Sequence, residues 1–567
     1  MRSDSAERDS FNNSFSPGYG TVNATSPPPE QQNTEPPKHD NDSVSWSSLP
    51  QKNQLFILAL ARLSEPLTQT SLQSYTFHQL RSFDPSLSES TIATRAGILA
   101  SCFTGAQFFT SLAWGQFADS PSGGRKRVLL IGLVGTAVSC LGFGFSRNFT
   151  TAVVTRTIGG ALNGNVGVIT TMVNEIVVER RFQSRAILIV PLCFNFGVIV
   201  GPMLGGVLAD PVKAYPGVFG KHSTFGGEHG VEWMTRWPYA LPNIVNVVFL
   251  SLSFLAAFFG LKETHPALGS RKDWGLRGAA VLGTWIRFIF CIKPRGYYKQ
   301  IPQGINSDSD TLTPTSEESE SSEADTVSQL LATNPKKQRL PFRQIWSRNV
   351  VVTLLAHAAL AFHYGTFSNI WFIFLSASRA TVSDPVHFSG GLGLSPSSVG
   401  LSMAILGLLG IIIQVTVYPT VASTFGTIRT YRASLLLFPV VYVFVPYLVF
   451  VPYTPSRTLP LWTSIVFIML VQVLARTLSY PSTMILVNNC SPHPSVLATV
   501  HGLAQSMVSI SRTFGPLSVS WAFGLGLDIG VVGLGWWILA FSAVLGMGIG
   551  WAVREDSGKL VSDDDSD

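Results

Sequence analysis

The chain has 567 residues, of which 46% are apolar and only 13% are charged, with a formal net charge of +6. A soluble domain carries about 25% charged residues, so this composition excludes an ordinary soluble protein. The charges are concentrated in the termini, the middle of the chain and the short turns between long apolar runs, as in a polytopic membrane protein. Basic residues at the ends of such runs orient them in the bilayer, so the positive charge does not predict a nucleic-acid partner.

Twelve apolar segments, each near or above the ~20 residues needed to cross a bilayer, predict an all-α integral membrane protein with twelve transmembrane helices in two six-helix halves. The first half, residues 53–261, contains segments 53–76, 93–117, 127–146, 150–174, 186–209 and 237–261. The second half, residues 348–553, contains segments 349–376, 396–418, 430–452, 460–486, 497–524 and 530–553.

The polar segments outside the two halves are predicted to lie in the cytosol. Residues 1–52 and the acidic residues 554–567 predict disordered tails, and residues 262–347 predict a partly disordered central loop. Within that loop, Trp274 to Ile292 is amphiphilic and predicts a helix at the membrane surface. Lys and Arg are more frequent in the turns that share the side of the termini, which predicts that both termini are cytosolic.

A short charged turn, residues 115–127, follows the second apolar segment. It contains one carboxylate and a basic cluster, in the order Gly115, Asp119, Gly124, Arg125, Lys126. A turn this short between two membrane-length segments predicts a helical hairpin. One carboxylate facing several cations also predicts a charge clamp in addition to a simple connection.

Two further motifs lie inside the membrane segments. The fourth segment contains an arginine followed by several glycines, from Arg156 to Gly164. The fifth contains five residues with fixed spacing: Gly197, Gly201, Pro202, Gly205 and Gly206. Glycines four residues apart share one helix face and permit close approach of a neighbouring helix, while Pro202 permits a bend. Tight packing alone and a seal against uncoupled leak are both compatible with this pattern.

These three motifs resemble the signatures of the major facilitator superfamily. The fifth-segment motif fits the antiporter signature G-x-x-x-G-P-x-x-G-G at every fixed position. The turn departs from the superfamily pattern, because Ser120 replaces a cation and two extra residues follow it. Within the superfamily, the chain is similar to the twelve-span drug:proton antiporters, especially the fungal and plant proteins close to the zinc-induced facilitators. The resemblance implies alternating access, with a gate at the turn and a seal in the fifth segment.

Glu65 is the predicted proton-coupling residue. It lies roughly 16–18 Å along the first segment, close to the middle of a ~30 Å hydrocarbon core. An ionisable residue at that depth is costly and predicts a functional site. Arg62 and Gln69 share its helix face, and Arg156 is predicted at a similar depth, where it would tune the protonation of a cavity carboxylate. A self-neutralising Arg62–Glu65 pair and a purely structural Arg156 remain alternatives.

The resemblance implies that segments 1, 4, 7 and 10 line a central cavity. The polar residues of these segments are therefore the candidate substrate contacts: Gln69, Asn163, His357, His363, Tyr364, Gln472, Arg476 and Tyr480. Glu175, at the end of segment 4 beside other charges, is interpreted as interfacial and not as a second proton site. The five cysteines lack the spacing of a metal site or disulfide framework, and no metal or cofactor is predicted.

The sequence therefore predicts a secondary transporter, not an enzyme, that exports small organic compounds or drugs in exchange for protons. The expected partners are the substrate, protons and the lipid bilayer, and the expected state is a monomer. The plasma membrane is the first expectation for location and the vacuolar membrane the second. A nutrient or metal-chelate transporter, and a non-transporting sensor, are the alternatives.

Overall fold

The computed structural model describes residues 49–554 except 178, 229, 266–267, 269–272, 290–345, 380, 383, 385–386, 453–457 and 493–496. The predicted tails and most of the central loop therefore lie outside the described residues, as do Cys291 and Arg457. The remaining four cysteines are free thiols.

The first half consists of helices that correspond to the six predicted segments, joined by short connections. In chain order they are α1 Lys52–Gln73, α2 Thr76–Phe83, α3 Glu89–Asp119, α4 Arg125–Gly144, α5 Phe149–Ala161, α6 Asn165–Ile176, α7 Arg180–Leu208, α8 Pro211–Ala214, α9 Pro216–Phe219, α10 Glu232–Arg236 and α11 Ala240–Gly260. The surface helix predicted after this half is α12, Trp274–Ile289.

The second half repeats the helical pattern and adds a small hairpin of two-residue strands. Its elements are α13 Arg348–Ser376, β1 Thr381–Val382, β2 Phe388–Ser389, α14 Pro396–Phe425, α15 Thr427–Leu435, α16 Leu437–Phe444, a 3₁₀ segment Val445–Phe450, α17 Leu459–Asn489, α18 Leu497–Asp528 and α19 Gly533–Ala552. The strands β1 and β2 pair in antiparallel register.

Eight helical segments among the described residues are long and apolar enough to cross a membrane. They correspond to predicted segments 2, 3, 6, 7, 8, 9, 10 and 12. The other four predicted segments are also helical at the predicted positions, but segment 4 is interrupted and segments 1 and 11 carry more polar residues. Segment 5 contributes the apolar stretch Leu192–Leu208.

The fourth segment, predicted as one continuous helix, is broken between α5 and α6. The backbone groups that the break frees are bonded by side chains of α3: Trp114 Nε1 donates to the Ala161 carbonyl at 2.7 Å, and Gln107 Nε2 donates to that of Asn163 at 3.3 Å. Inside a membrane such a break requires protein partners for the backbone, which α3 supplies. The interruption lies at Leu162–Gly164, immediately beside the cavity described below.

The turns α3–α4 and α14–α15 occupy equivalent positions in the two halves and share one backbone feature. Gly124 and Gly426 directly precede the following helices with φ of +91° and +78°. Only glycine adopts such angles without strain. The two turns therefore share one backbone geometry at the start of the following helix.

The two halves meet along α3 with α18 and along α7 with α14. Small residues permit this close approach, since a Cβ on Gly97 would lie 2.6 Å from Ser520 and one on Gly400 would meet the Pro202 carbonyl. The α3–α18 contact extends from Gly524 beside Ser90 to Gly105 beside Thr513. Beyond Gly105, most residues from 111 to 117 are exposed. The halves therefore separate toward the α3–α4 turn.

Candidate functional site

A cavity of about 1530 Å³ lies between the two halves and is lined by residues of α1 to α7 in the first half and of α13, α14, α17 and α18 in the second. Its wall reaches Gly115, Asp119 and Arg125 at the α3–α4 end. At the opposite end, α3 packs closely through the buried residues Ile92 and Ala93. The cavity therefore opens on the side of the α3–α4 turn.

Glu65 lies on the cavity wall with a local partner. Its carboxylate accepts a hydrogen bond from Arg62 Nη1 at 3.0 Å, and both residues line the cavity. Arg62 also lies over the Phe194 ring, 5.9 Å from its centroid. The side chains are largely buried, at 9% and 16% exposure. The structure thus contains the local Arg62–Glu65 pair, and proton coupling at Glu65 stays a prediction.

Arg156 bonds to the amide of Gln69, one turn after Glu65 on α1. The distance from Arg156 Nη2 to Gln69 Oε1 is 2.8 Å, and the guanidinium lies 4.6 Å from the centroid of the Phe103 ring. Within the described part of the chain, no carboxylate oxygen lies within 4.0 Å of the Arg156 guanidinium. Arg156 therefore contacts an amide, and Glu65 contacts Arg62, so tuning of a cavity carboxylate by Arg156 stays a prediction.

The predicted second-half contacts separate into two groups. Tyr364 and Arg476 line the cavity, with the Arg476 guanidinium 4.4 Å from the centroid of the Tyr364 ring. Asn163, from the break in segment 4, also lines it. Helix α18 adds Arg512, which lies beside Gly365.

Four predicted cavity residues lie behind the wall. His363 Nδ1 is 3.1 Å from Tyr442 Oη, and Gln472 Nε2 donates to the same hydroxyl at 3.5 Å, so both belong to the polar interior of the second half. His357 is buried beside the Tyr480 ring at 6.3 Å. Helix rotation explains the position of His363, which precedes the cavity-facing Tyr364 by one residue and so points about 100° away.

The α3–α4 turn holds a network of charges. Arg125 Nη2 lies 3.4 Å from Asp119 and 2.7 Å from Glu175 at the end of α6. The Arg125 side chain is 10% exposed, whereas that of Asp119 is 71% exposed. The Asp119–Arg125 pair predicted for this turn is present despite the two extra residues. The shorter ion pair of Arg125 is with Glu175, which the sequence predicts as interfacial.

Two further carboxylates attach the segment after α11 to the start of α4. Glu263 accepts the backbone N–H groups of Arg125 and Lys126, each at 3.1 Å, and so caps the helix. Lys126 Nζ donates to Asp273 at 2.6 Å. Burial raises the pKa of Asp273, but hydrogen bonds from Lys126 and from the backbone outweigh it and hold that pKa below its usual value. Neither Glu263 nor Asp273 is predicted from the sequence as a partner of this turn. The string Lys262-Glu-Thr-His265, which directly follows α11, is the signal that could have identified Glu263.

The fifth-segment motif contacts two different helices. Gly197, Gly201 and Gly205 face α1, and Thr70 Oγ1 donates to the Gly197 carbonyl at 3.0 Å. Gly206 faces the start of α14, where its Cβ would meet the Pro396 carbonyl. Helix α7 runs without interruption through Pro202. One motif therefore packs the first half internally and also closes the contact between the halves.

A clasp connects the halves at the end opposite the α3–α4 turn. Glu89, at the start of α3, accepts the backbone N–H of Ser378 with both carboxylate oxygens at 3.1 Å. Arg81 donates to the Ser378 hydroxyl at 3.1 Å and lies 3.4 Å from Glu89. We call the contact of Arg81, Glu89 and Ser378 the outer clasp. No sequence pattern predicts it, because the Glu89 carboxylate bonds a backbone N–H, a group that the sequence does not distinguish from other backbone groups.

Replacing Glu89 by alanine is expected to open the outer clasp. The change removes a charge-assisted hydrogen bond of about 1.5–3 kcal/mol, which should raise the population open at this end roughly tenfold or more. Electron–electron distances between spin labels at Ser82 and Asp384, in a cysteine-free background, measure that population. Asp84→Ala is the control, because that nearby carboxylate accepts bonds from Ser86 of its own loop. Unchanged distances in Glu89→Ala would contradict a closing role.

A cavity at the interface of two helical halves, open at one end and closed at the other, is the architecture of a secondary active transporter. The chain belongs to the Major Facilitator Superfamily, whose sequence profile matches residues 55–516. The Major facilitator superfamily multidrug transporter mfsB of Aspergillus fumigatus is 34% identical over 530 residues, covering 90% of this chain and 84% of that protein. Protein ZINC INDUCED FACILITATOR 1 of Arabidopsis thaliana is 26% identical, covering 80% of each chain.

A solved structure shows the same fold. The inward open conformation of the xylose transporter XylE from E. coli superposes with a TM-score of 0.56 at 15% identity, covering 89% of this chain and 97% of that one. The predicted family, helical membrane fold and secondary-transporter class are thereby confirmed.

Proposed function

We propose that this transporter exports small organic compounds from the cytosol in exchange for protons, as a monomer in the plasma membrane. The observation that carries this proposal is Glu65, a titratable carboxylate on the wall of the central cavity with Arg62 beside it. The 34% identical relative is named a multidrug transporter, which supports organic compounds as cargo. The basic residues of the α3–α4 turn favour the cytosolic side, so the described state is open to the cytosol.

Protonation of Glu65 would remove the charge that holds Arg62. Arg62 would then lack its ion-pair partner, and the balance between the cytosol-open state and the opposite state would change. Because Glu65 lies on the same wall as Gln69 and Arg156, bound substrate and bound proton act on one cluster of side chains. This shared cluster gives a route by which a proton gradient drives export.

Glu65→Gln is expected to abolish gradient-driven transport and to leave substrate exchange without a gradient largely intact. A growth screen of pump-deficient yeast expressing the protein first identifies a toxic compound that it removes. Purified protein in liposomes is then assayed for that compound with and without a pH gradient. Glu232→Gln, an exposed carboxylate outside the cavity wall, is the control. Full gradient-driven transport by Glu65→Gln would exclude Glu65 as the proton site.

A further inference from the structure

We propose that the substrate carries an anionic group, a carboxylate, sulfonate or phosphate, which binds to Arg156, Arg476 and Arg512 in the central cavity. This inference rests on the proposed transport function of the same cavity and specifies its substrate class. An anionic substrate differs from the cationic or neutral drugs that an aromatic cavity alone would suggest.

Two adjacent pairs of residues connect the three arginines. On α3, Phe103 lies under the Arg156 guanidinium, and the next residue, Thr104, donates to the Arg512 carbonyl at 3.3 Å. On α13, Tyr364 lies under Arg476, and a Cβ on the next residue, Gly365, would be 3.4 Å from Arg512 Cγ. Arg512 thus contacts the residues that directly follow Phe103 and Tyr364, and all three arginines line one cavity.

The charges of the cavity wall do not balance. Among the described residues that line it, five are arginines and two are carboxylates. The carboxylate of Glu65 is paired with Arg62, and that of Asp119 is paired with Arg125. In the described part of the chain, no carboxylate lies within 4.0 Å of the three remaining guanidinium groups. Besides these charged residues and Tyr364, the described wall contains one more titratable side chain, His501. A histidine cannot supply a negative charge.

The chemistry of these side chains selects an anion. Arg156 is 9% exposed, and burying a cation without a counter-charge is unfavourable, so an anionic ligand would relieve that cost. Two of the guanidinium groups lie over the rings of Phe103 and Tyr364, 4.6 Å and 4.4 Å from the ring centroids, and a guanidinium forms paired N–H bonds to carboxylate or phosphate oxygens. A cavity wall with an excess of positive charge also concentrates anions. The apolar residues Phe108, Phe372 and Leu406 on the same wall suit the organic part of the ligand.

Two xanthene dyes of opposite charge test this proposal. Binding of fluorescein, an anion, and rhodamine 6G, a cation, is measured on the purified protein in nanodiscs without a pH gradient, with empty nanodiscs subtracted. Fluorescein is expected to bind more tightly than rhodamine 6G. Arg156→Gln and Arg512→Gln should each weaken fluorescein binding about tenfold, the loss of one charge-assisted contact. Arg156→Lys should retain part of the affinity because it keeps the charge.

Arg147→Gln is the matched control, since Arg147 lies over Trp237, outside the cavity wall. Tighter binding of rhodamine 6G, or fluorescein binding that is insensitive to the arginine variants, would overturn the proposal. The binding assay contains no pH gradient, so its result does not depend on whether the transporter is coupled to protons. A failure of the proposed proton coupling would appear only in the liposome assay.

A second measurement decides the case in which neither dye binds. Ser368, one turn after Gly365 on the cavity wall, is replaced by cysteine and labelled with a sulfonated or a trimethylammonium methanethiosulfonate. The sulfonated reagent is expected to react faster, relative to a free thiol, and Arg512→Gln should reduce that preference. A faster reaction of the cationic reagent would overturn the proposal.

Discussion

Replacement of Arg125 by glutamine is expected to abolish transport and to lower the thermal stability of the protein. Arg125 is largely buried and connects three elements, since it bonds Asp119 of α3 and Glu175 of α6 from its place at the start of α4. Its removal leaves Glu175, 26% exposed, without its partner at 2.7 Å. The cost of such an orphaned group is about 1–3 kcal/mol, and more for charged groups. Scanning fluorimetry and liposome transport measure the two effects.

Arg127→Gln provides the matched control for this variant. Arg127 belongs to the same basic cluster, but its side chain is exposed and Nη1 donates only to the Ser122 carbonyl within its own turn among the bonds described. We expect Arg127→Gln to change melting temperature and transport little. Equal losses in both variants would show that the net charge of the turn matters, and that the Arg125 bonds to Asp119 and Glu175 do not.

The membrane explains why the helices could be predicted. A span needs about 20 apolar residues and must satisfy its own backbone bonds, so length and composition determine where a helix lies. The exceptions follow the same rule. Segment 4 can break at Leu162–Gly164 because Trp114 and Gln107 of α3 bond the freed carbonyls of Ala161 and Asn163. Because Trp114 and Gln107 belong to another helix, the sequence of segment 4 alone does not predict the break.

The candidate site was less predictable, because helix rotation and distant partners determine it. Arg62, Glu65 and Gln69 share one face of α1 and do line one cavity, as their spacing predicts. His363 and Tyr364 are adjacent in sequence but face different environments, which depends on how α13 packs against Tyr442. Periodicity alone gives relative angles along a helix, whereas tertiary contacts give the absolute direction of each face.

Substitution of Gly201 by alanine is expected to reduce both stability and transport strongly. A Cβ at this position would meet Thr70 Oγ1 and would lie 2.6 Å from the Leu67 carbonyl and 3.0 Å from the Ser71 amide of α1. Backbone atoms cannot move aside as a flexible side chain can, so α7 would have to separate from α1. Overpacking of this kind costs about 1–3 kcal/mol. Melting temperature and liposome transport again measure the outcome.

Gly548→Ala is the control, because Gly548 lies inside α19 and a Cβ there would have no neighbour within 4 Å. Alanine favours a helix over glycine by about 1 kcal/mol, so this variant should be neutral or slightly more stable. If Gly201→Ala is as stable as Gly548→Ala, the expected clash between a Cβ at position 201 and the backbone of α1 is contradicted. If Gly201→Ala unfolds at a lower temperature but still transports at the normal rate, the motif is a packing element alone. A loss of gradient coupling beyond the loss of folded protein would instead assign it a part in sealing the pathway.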